Sequence, residues 1–89
     1  MKTILTERFK KDMRSKVHSK KIFAEIKTKV LCLETIPTMG STDLPQSITE
    51  VFGATVRKLP NPPFIVLYEY CEENQLITID ALIHERQAY

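Results

Sequence analysis

Residues 64–86 read FIVLYEYCEENQLITIDALIHER, two apolar runs on either side of a polar break, and no other stretch limits the possible folds as tightly. Residues 64–71 carry Ile65, Val66, Leu67, Tyr68 and Tyr70, while residues 76–83 carry Ile77, Thr78, Ile79, Ala81 and Leu82. Side chains of this kind suit a pleated surface. Between the runs, Glu72, Glu73, Asn74 and Gln75 form a short polar connection in which Asn74 is best suited to a positive φ. The stretch predicts a β-hairpin. Neither run alternates cleanly between apolar and polar, so the hairpin is expected mid-sheet with at least one face under helices. After Ile83 the chain turns polar, placing His84, Glu85 and Arg86 at the end of a well-held strand.

What precedes the hairpin reads as a strand and two helices. Residues 3–6 are mostly β-prone, and Thr6 is placed to N-cap a helix whose first residue, Glu7, suits the helix dipole. Phe9, Met13 and Val17 recur at i, i+4 and i+8, with Arg8, Lys10, Lys11, Asp12, Arg14 and Lys16 over the remaining surface. Ser19 is a second N-cap, and Ile22, Phe23, Ile26, Val30 and Leu33 follow at spacings of three and four, predicting a helix over 20–33. With a break near His18, expected as a solvated loop residue, the two helices form an antiparallel hairpin able to cover a sheet face.

Residues 34–46 are rich in Thr, Pro, Gly, Ser and Asp and read as a loop punctuated by Pro37, Gly40 and Pro45. Residues 49–59 read as a second strand through Val51, Phe52, Ala54, Val56 and Leu59, with Gly53 marking a bulge or close backbone approach. Pro60-Asn61-Pro62-Pro63 then reads as a stiff connector into the hairpin. The order is βααβββ. The expected fold is α+β, an antiparallel sheet with a two-helix hairpin packed on one face, in one domain over residues 1–89.

At 89 residues and 43% hydrophobic content, the chain supports one core and buries roughly 60 to 65% of its unfolded surface. There is no apolar run near the ~18 residues of a membrane span, and the start lacks a secretory apolar segment. A cytoplasmic protein without membrane partners is expected. Cys32 and Cys71 stand alone, as buried reduced thiols would. Charge is uneven: residues 1–29 hold ten Lys/Arg against Glu7, Asp12 and Glu25, whereas residues 30–89 hold Arg57, Lys58 and Arg86 against eight acidic residues. The first part suits a polyanion or an acidic protein; a solvated basic helix face explains it as well.

No phosphate loop, H-E-x-x-H, paired-cysteine motif or nucleophile elbow is present, so no metal or cofactor is called for. Asp80 and His84 share strand parity and are a possible orienting pair, against a plain solvated strand-end histidine. The remaining constellation is cationic. Metal-free RNA cleavage needs a base for the 2′-hydroxyl, cations for the pentavalent intermediate and an acid for the leaving oxygen. His84, Lys58, Arg86 and Tyr89 are the candidates for those roles. Arg57, Lys10, Lys11 and Arg14 are the candidates for contacting nucleic acid. Surface cations without function are common, which keeps a purely structural reading open.

The element order, the opening Thr6-Glu7-Arg8-Phe9-Lys10-Lys11-Asp12, the strand Phe64-Ile65-Val66-Leu67-Tyr68 and the ending Leu82-Ile83-His84-Glu85-Arg86 together resemble the RelE/ParE superfamily of bacterial type II toxins. The resemblance implies growth inhibition, neutralised by a cognate antitoxin held in a sheet groove. In RelE-like members it implies mRNA cleavage on the ribosome, and in ParE-like members inhibition of DNA gyrase without the catalytic set. Lys58 and Arg86 fall where RelE-like toxins place a lysine and an arginine. The arginine those toxins carry early in the third strand corresponds to Ile65, and Tyr89 ends the chain about three residues before their aromatic. The Leu82–Arg86 ending is closer to the ParE-like tail. The alternative is a non-toxic module of the same fold that binds protein or nucleic acid.

Overall fold

The computed structural model describes residues 1–88. Eight elements follow in order: β1 (Lys2–Leu5), α1 (Glu7–Lys16), α2 (Lys20–Cys32), α3 (Gln46–Phe52), β2 (Arg57–Asn61), β3 (Phe64–Cys71), β4 (Leu76–His84) and a final 3-10 turn (Glu85–Ala88). The four strands form one sheet in the order β1-β4-β3-β2. The predicted hairpin is its centre. The turn after β3 takes its positive φ at Gln75, at 50°, rather than at Asn74. β2 and β4 run antiparallel to β3, but β1 runs parallel to β4, from Lys2 opposite Leu76 to Leu5 opposite Ile79. The sheet is therefore mixed, because the α1–α2 hairpin carries the chain back across one face before it re-enters the sheet.

Both sheet faces are covered, which is why β3 is apolar at successive positions. On one face Phe64, Val66, Tyr68, Ile77, Ile79 and Leu82 pack under Phe9 and Met13 of α1 and Ile26 and Val30 of α2. Ile65, Leu67, Ala81 and Ile83 on the other face lie under Ile48, Leu44 and Phe52, in and beside α3. The second cover was not legible as a helix. Residues 49–59 divide into the end of α3 and a strand beginning at Arg57, with Gly53 at φ 99° closing the helix. β-Prone Val51 and Phe52 are helical because one helical turn lets Ile48 and Phe52 bury against the sheet, a tertiary gain that outweighs local preference.

Between Leu67 and Tyr68 the register with β4 slips: Leu67 faces Ala81, whereas Tyr68 faces Ile79. Asp80 is the extra residue of a β-bulge. The slip reverses parity, so Ile77 and Ile79 share a face with Leu82, and Asp80 and His84 lie on opposite faces. They form no orienting pair.

α1 closes the part of β4 that β1 does not reach. Thr6 caps α1 by accepting from the Phe9 N–H at 3.1 Å, and its hydroxyl lies 2.8 and 2.9 Å from the Ile79 and Asp80 carbonyls. Buried Asp12 accepts from the Leu82 N–H at 3.1 Å, and Lys16 Nζ donates to the Leu82 carbonyl at 3.0 Å. On the opposite edge β2 runs through Pro60, contrary to its reading as connector. The Pro60 carbonyl accepts from Lys29 Nζ at 2.6 Å, so the ring's missing N–H lies on the outer side and costs no ladder bond. β1 is left as the open edge.

The loop before α3 is pinned to the sheet. The Tyr68 hydroxyl accepts from the Gly40 N–H at 2.8 Å and donates to the Pro37 carbonyl at 2.9 Å. Burial raises the pKa of this phenol, which keeps it a neutral donor. Cys71 is partly buried, but Cys32 is exposed at the end of α2; both are free thiols. No helix among the described residues is long and apolar enough to cross a membrane.

Candidate functional site

The strand register distributes the sequence-predicted cations over both faces. Lys58 stands opposite Leu67, on the face that α3 covers, and its backbone N–H and carbonyl both bond to Ser41, at 2.8 and 3.0 Å. Arg57 stands opposite Tyr68 on the helix-hairpin face, where Nη1 donates to the Gly40 carbonyl at 2.9 Å. That guanidinium holds a loop. Ile65, at the position of the missing arginine, is buried beneath α3.

His84 pairs with Phe64 across the sheet, their rings edge to face at 5.9 Å and 75°. Phe64 belongs to the helix-hairpin face, so His84 and Lys58 lie on opposite faces. The His84 Nδ1 accepts from the Arg86 N–H at 3.2 Å, and the His84 N–H donates to Gln87 Oε1 at 2.8 Å. With Nδ1 occupied as an acceptor, the neutral ring carries its proton on Nε2. That tautomer offers no outward lone pair for a base. Arg86 is exposed in the final turn. Tyr89 lies outside the described residues.

Three cations do converge elsewhere. β1, α1 and α2 enclose a groove of about 450 Å³ whose floor is Leu5, Phe9, Met13, Phe23, Val30 and Leu31. Lys10, Arg14, Lys27 and Glu34 line its sides. Lys10 reaches Glu7 at 3.5 Å, an exposed contact of small worth. Lys11 belongs to the exposed surface of α1. Phe23 is 42% exposed and Leu31 59% exposed, and both line this one groove together with Leu5.

The open edge of β1 runs along this groove. Lys2 and Thr6 direct their N–H groups to β4, onto the Gln75 and Ile79 carbonyls, so Thr3 and Leu5 direct theirs outward. Sequence reasoning placed Phe23 in the core and passed over Leu31. The signal was present: Phe23, Lys27 and Leu31 recur at i, i+4 and i+8, a second stripe beside the buried one of Ile22, Ile26, Val30 and Leu33.

The family model of the ParE toxin of type II toxin-antitoxin systems matches residues 3–89. Among solved structures the chain is similar to one from the toxin-antitoxin complex RelBE2 of Mycobacterium tuberculosis, at 15% identity, a TM-score of 0.72, and coverage of 93% of this chain and 95% of that one. At that identity the likeness is one of fold. No curated protein sequence matches.

Proposed function

The chain belongs to the ParE toxin family of type II toxin-antitoxin systems, and from that membership we propose that it inhibits growth by binding DNA gyrase in the cytoplasm instead of cutting mRNA on the ribosome. The observation that carries this reading is the separation of Lys58 from His84 across the two faces of the sheet, with Ile65 buried where a third cation would be needed. A phosphodiester lying on one face of the sheet meets only one of the two groups on that face. Losing one preorganised charge-stabilising group commonly costs two to three orders of magnitude in rate, and the geometry of His84 and Arg86 further withholds a free base nitrogen.

The partner is a cognate antitoxin, and the groove between β1, α1 and α2 suits it. An apolar floor flanked by Lys10, Arg14 and Lys27, with Glu34 as the one carboxylate among the lining residues, favours a segment with one apolar face and carboxylates beside it. The adjoining β1 edge offers backbone groups as well, so a helical or an extended segment finds complementary surface.

The experiment is to induce the protein without an antitoxin and follow thymidine and methionine incorporation over the first minutes. The expected result is an early fall in thymidine incorporation while methionine incorporation holds. An early fall in methionine incorporation, together with mRNA cleavage that Arg86→Ala abolishes in a purified translation system, would replace this reading with the nuclease. Normal growth at high expression would leave only a non-toxic binding module of this fold.

A further inference from the structure

The helix hairpin carries more positive charge than its own structure accounts for. Lys11, Arg14, Lys20, Lys21 and Lys27 are all exposed. None of them forms an ion pair among the described residues, where the pairs join Arg8 and Lys16 to Asp12 and Lys10 to Glu7. Glu25, one turn after Lys21, accepts instead from Asn61 Nδ2 at 3.4 Å.

Helix stability does not ask for these charges either. Arg14, in the last turn of α1, suits the helix dipole, but Lys20 and Lys21 fill the first turn of α2, which holds no acidic residue. Cations there oppose the positive end of the dipole. Lys10 and Arg14 stand at i, i+4 and Lys11 and Arg14 at i, i+3, spacings at which like charges repel. Local rules broken without a structural return mark a functional surface.

Placement joins the charges into one face. α1 buries Phe9, Asp12 and Met13, which at about 100° per residue leaves Lys11 and Arg14 on its outer side. α2 buries Ile26 and Val30, with Lys20 and Lys27 two turns apart along it and Lys21 next to the first. Lys11, Lys20 and Lys21 lie outside the groove lining, so a segment seated in the groove leaves part of the charge unanswered. The exposed residues among these cations, Ser15, Ala24 and Thr28, are small.

We propose that this outer face of the α1–α2 hairpin binds the phosphate backbone of duplex DNA without reading its sequence. A protein partner is held by aromatic or aliphatic anchors, and a single strand by aromatic platforms for its bases. The outer face has neither, since Phe23 and Leu31 belong to the groove. Duplex RNA is held largely through 2′-hydroxyls, which call for acceptors as well as donors, whereas Lys and Arg only donate. Repeated DNA phosphates need no more than cations along a surface. α1 rises about 15 Å over its ten residues, and one DNA strand presents roughly four phosphates over that length. DNA bound in this way needs no gyrase, so this site and the gyrase reading stand or fall separately.

The test is fluorescence anisotropy of a labelled DNA duplex of about 30 base pairs, titrated with the purified full chain at several salt concentrations. The free cations should give a slope of log affinity on log salt of about −4, so that affinity falls roughly fifty- to a hundredfold between about 50 and 150 mM salt. Lys20→Ala and Lys21→Ala together should flatten the slope by about 2 and weaken binding roughly tenfold or more at the lower salt. The urea midpoint of that double variant should hold or rise, since two cations leave the positive end of α2; a merely structural role would lower it.

No binding at the lower salt, or a slope unchanged in the double variant, would overturn the proposal. Tighter binding to duplex RNA of the same length would give the face to RNA instead. Displacement of the labelled DNA by polyglutamate as effectively as by unlabelled DNA at equal charge would give it to an acidic protein, and either result overturns the proposal as well. Should the double variant fail to fold, Lys11→Ala on the other helix must flatten the slope by about 1; an unchanged slope there overturns it too.

Discussion

Gly40 is where a single atom decides whether the loop before α3 can close. A Cβ there would lie 2.6 Å from the Tyr68 ring and 2.7 Å from both the Tyr68 hydroxyl and the Lys58 carbonyl. Neither neighbour has room to move: Tyr68 is fully buried, and the Lys58 carbonyl is bonded to Ser41. Gly40→Ala should therefore cost about 2 to 3 kcal/mol of stability, the range for overpacking a filled site, seen as a lower urea midpoint at unchanged slope. Tyr68→Phe should cost less, about 1 to 2 kcal/mol, since it strands the Gly40 N–H and the Pro37 carbonyl but adds no atom. From sequence, Gly40 was legible only as loop punctuation and Tyr68 only as strand. A hydroxyl that organises a loop some thirty residues away leaves no local pattern. Asp80 was legible as a charge that survives an apolar run, but its partner appeared to be His84 because parity was counted without the bulge.

At the scale of elements, α1 is both a cover for the sheet and a substitute for the missing length of β1. β1 reaches Ile79 and no further, and the side chains of Thr6, Asp12 and Lys16 take over the backbone of β4 beyond it. The ion pairs of Asp12 with Arg8 and Lys16, at 3.6 and 3.5 Å, have half-exposed or partly exposed cations and contribute little. The bond to the buried Leu82 N–H is the larger effect. Asp12→Ala should accordingly cost about 2 kcal/mol, whereas Arg8→Ala should cost well under 1 kcal/mol through the ion pair; equal losses for the two in chemical denaturation would mean that the ion pairs matter more than the edge bond. The two helices and the central hairpin were legible because their periodicities are local and strong. α3 was not, since seven residues carry too few repeats to distinguish a helix from a β-prone run. The parallel placement of β1 was equally hidden, being fixed by a partner more than seventy residues away.

Over the whole molecule, charge and shape select the same side. Ten of the thirteen basic residues precede residue 30, and β1, α1 and α2, which contain all ten, also build the apolar groove. The charge asymmetry was plain in the sequence, and the groove was not, because it depends on the angle at which α2 leaves α1. Their coincidence separates two contributions to antitoxin binding. Long-range attraction to Lys10, Arg14 and Lys27 speeds encounter and is screened over about 8 to 10 Å at physiological salt, while contact with Leu5, Phe23 and Leu31 is insensitive to screening and slows departure. Raising salt from 50 to 500 mM should thus lower the association rate of the cognate antitoxin roughly tenfold or more and leave dissociation within about twofold. Phe23→Ala and Leu31→Ala should show the reverse, faster dissociation at a nearly unchanged association rate. Surface-plasmon kinetics on the wild type and these two variants distinguish the cases. If salt instead accelerates dissociation as strongly as it slows association, the charges are buried against the antitoxin at the interface, and the groove floor is not where the bound segment is held.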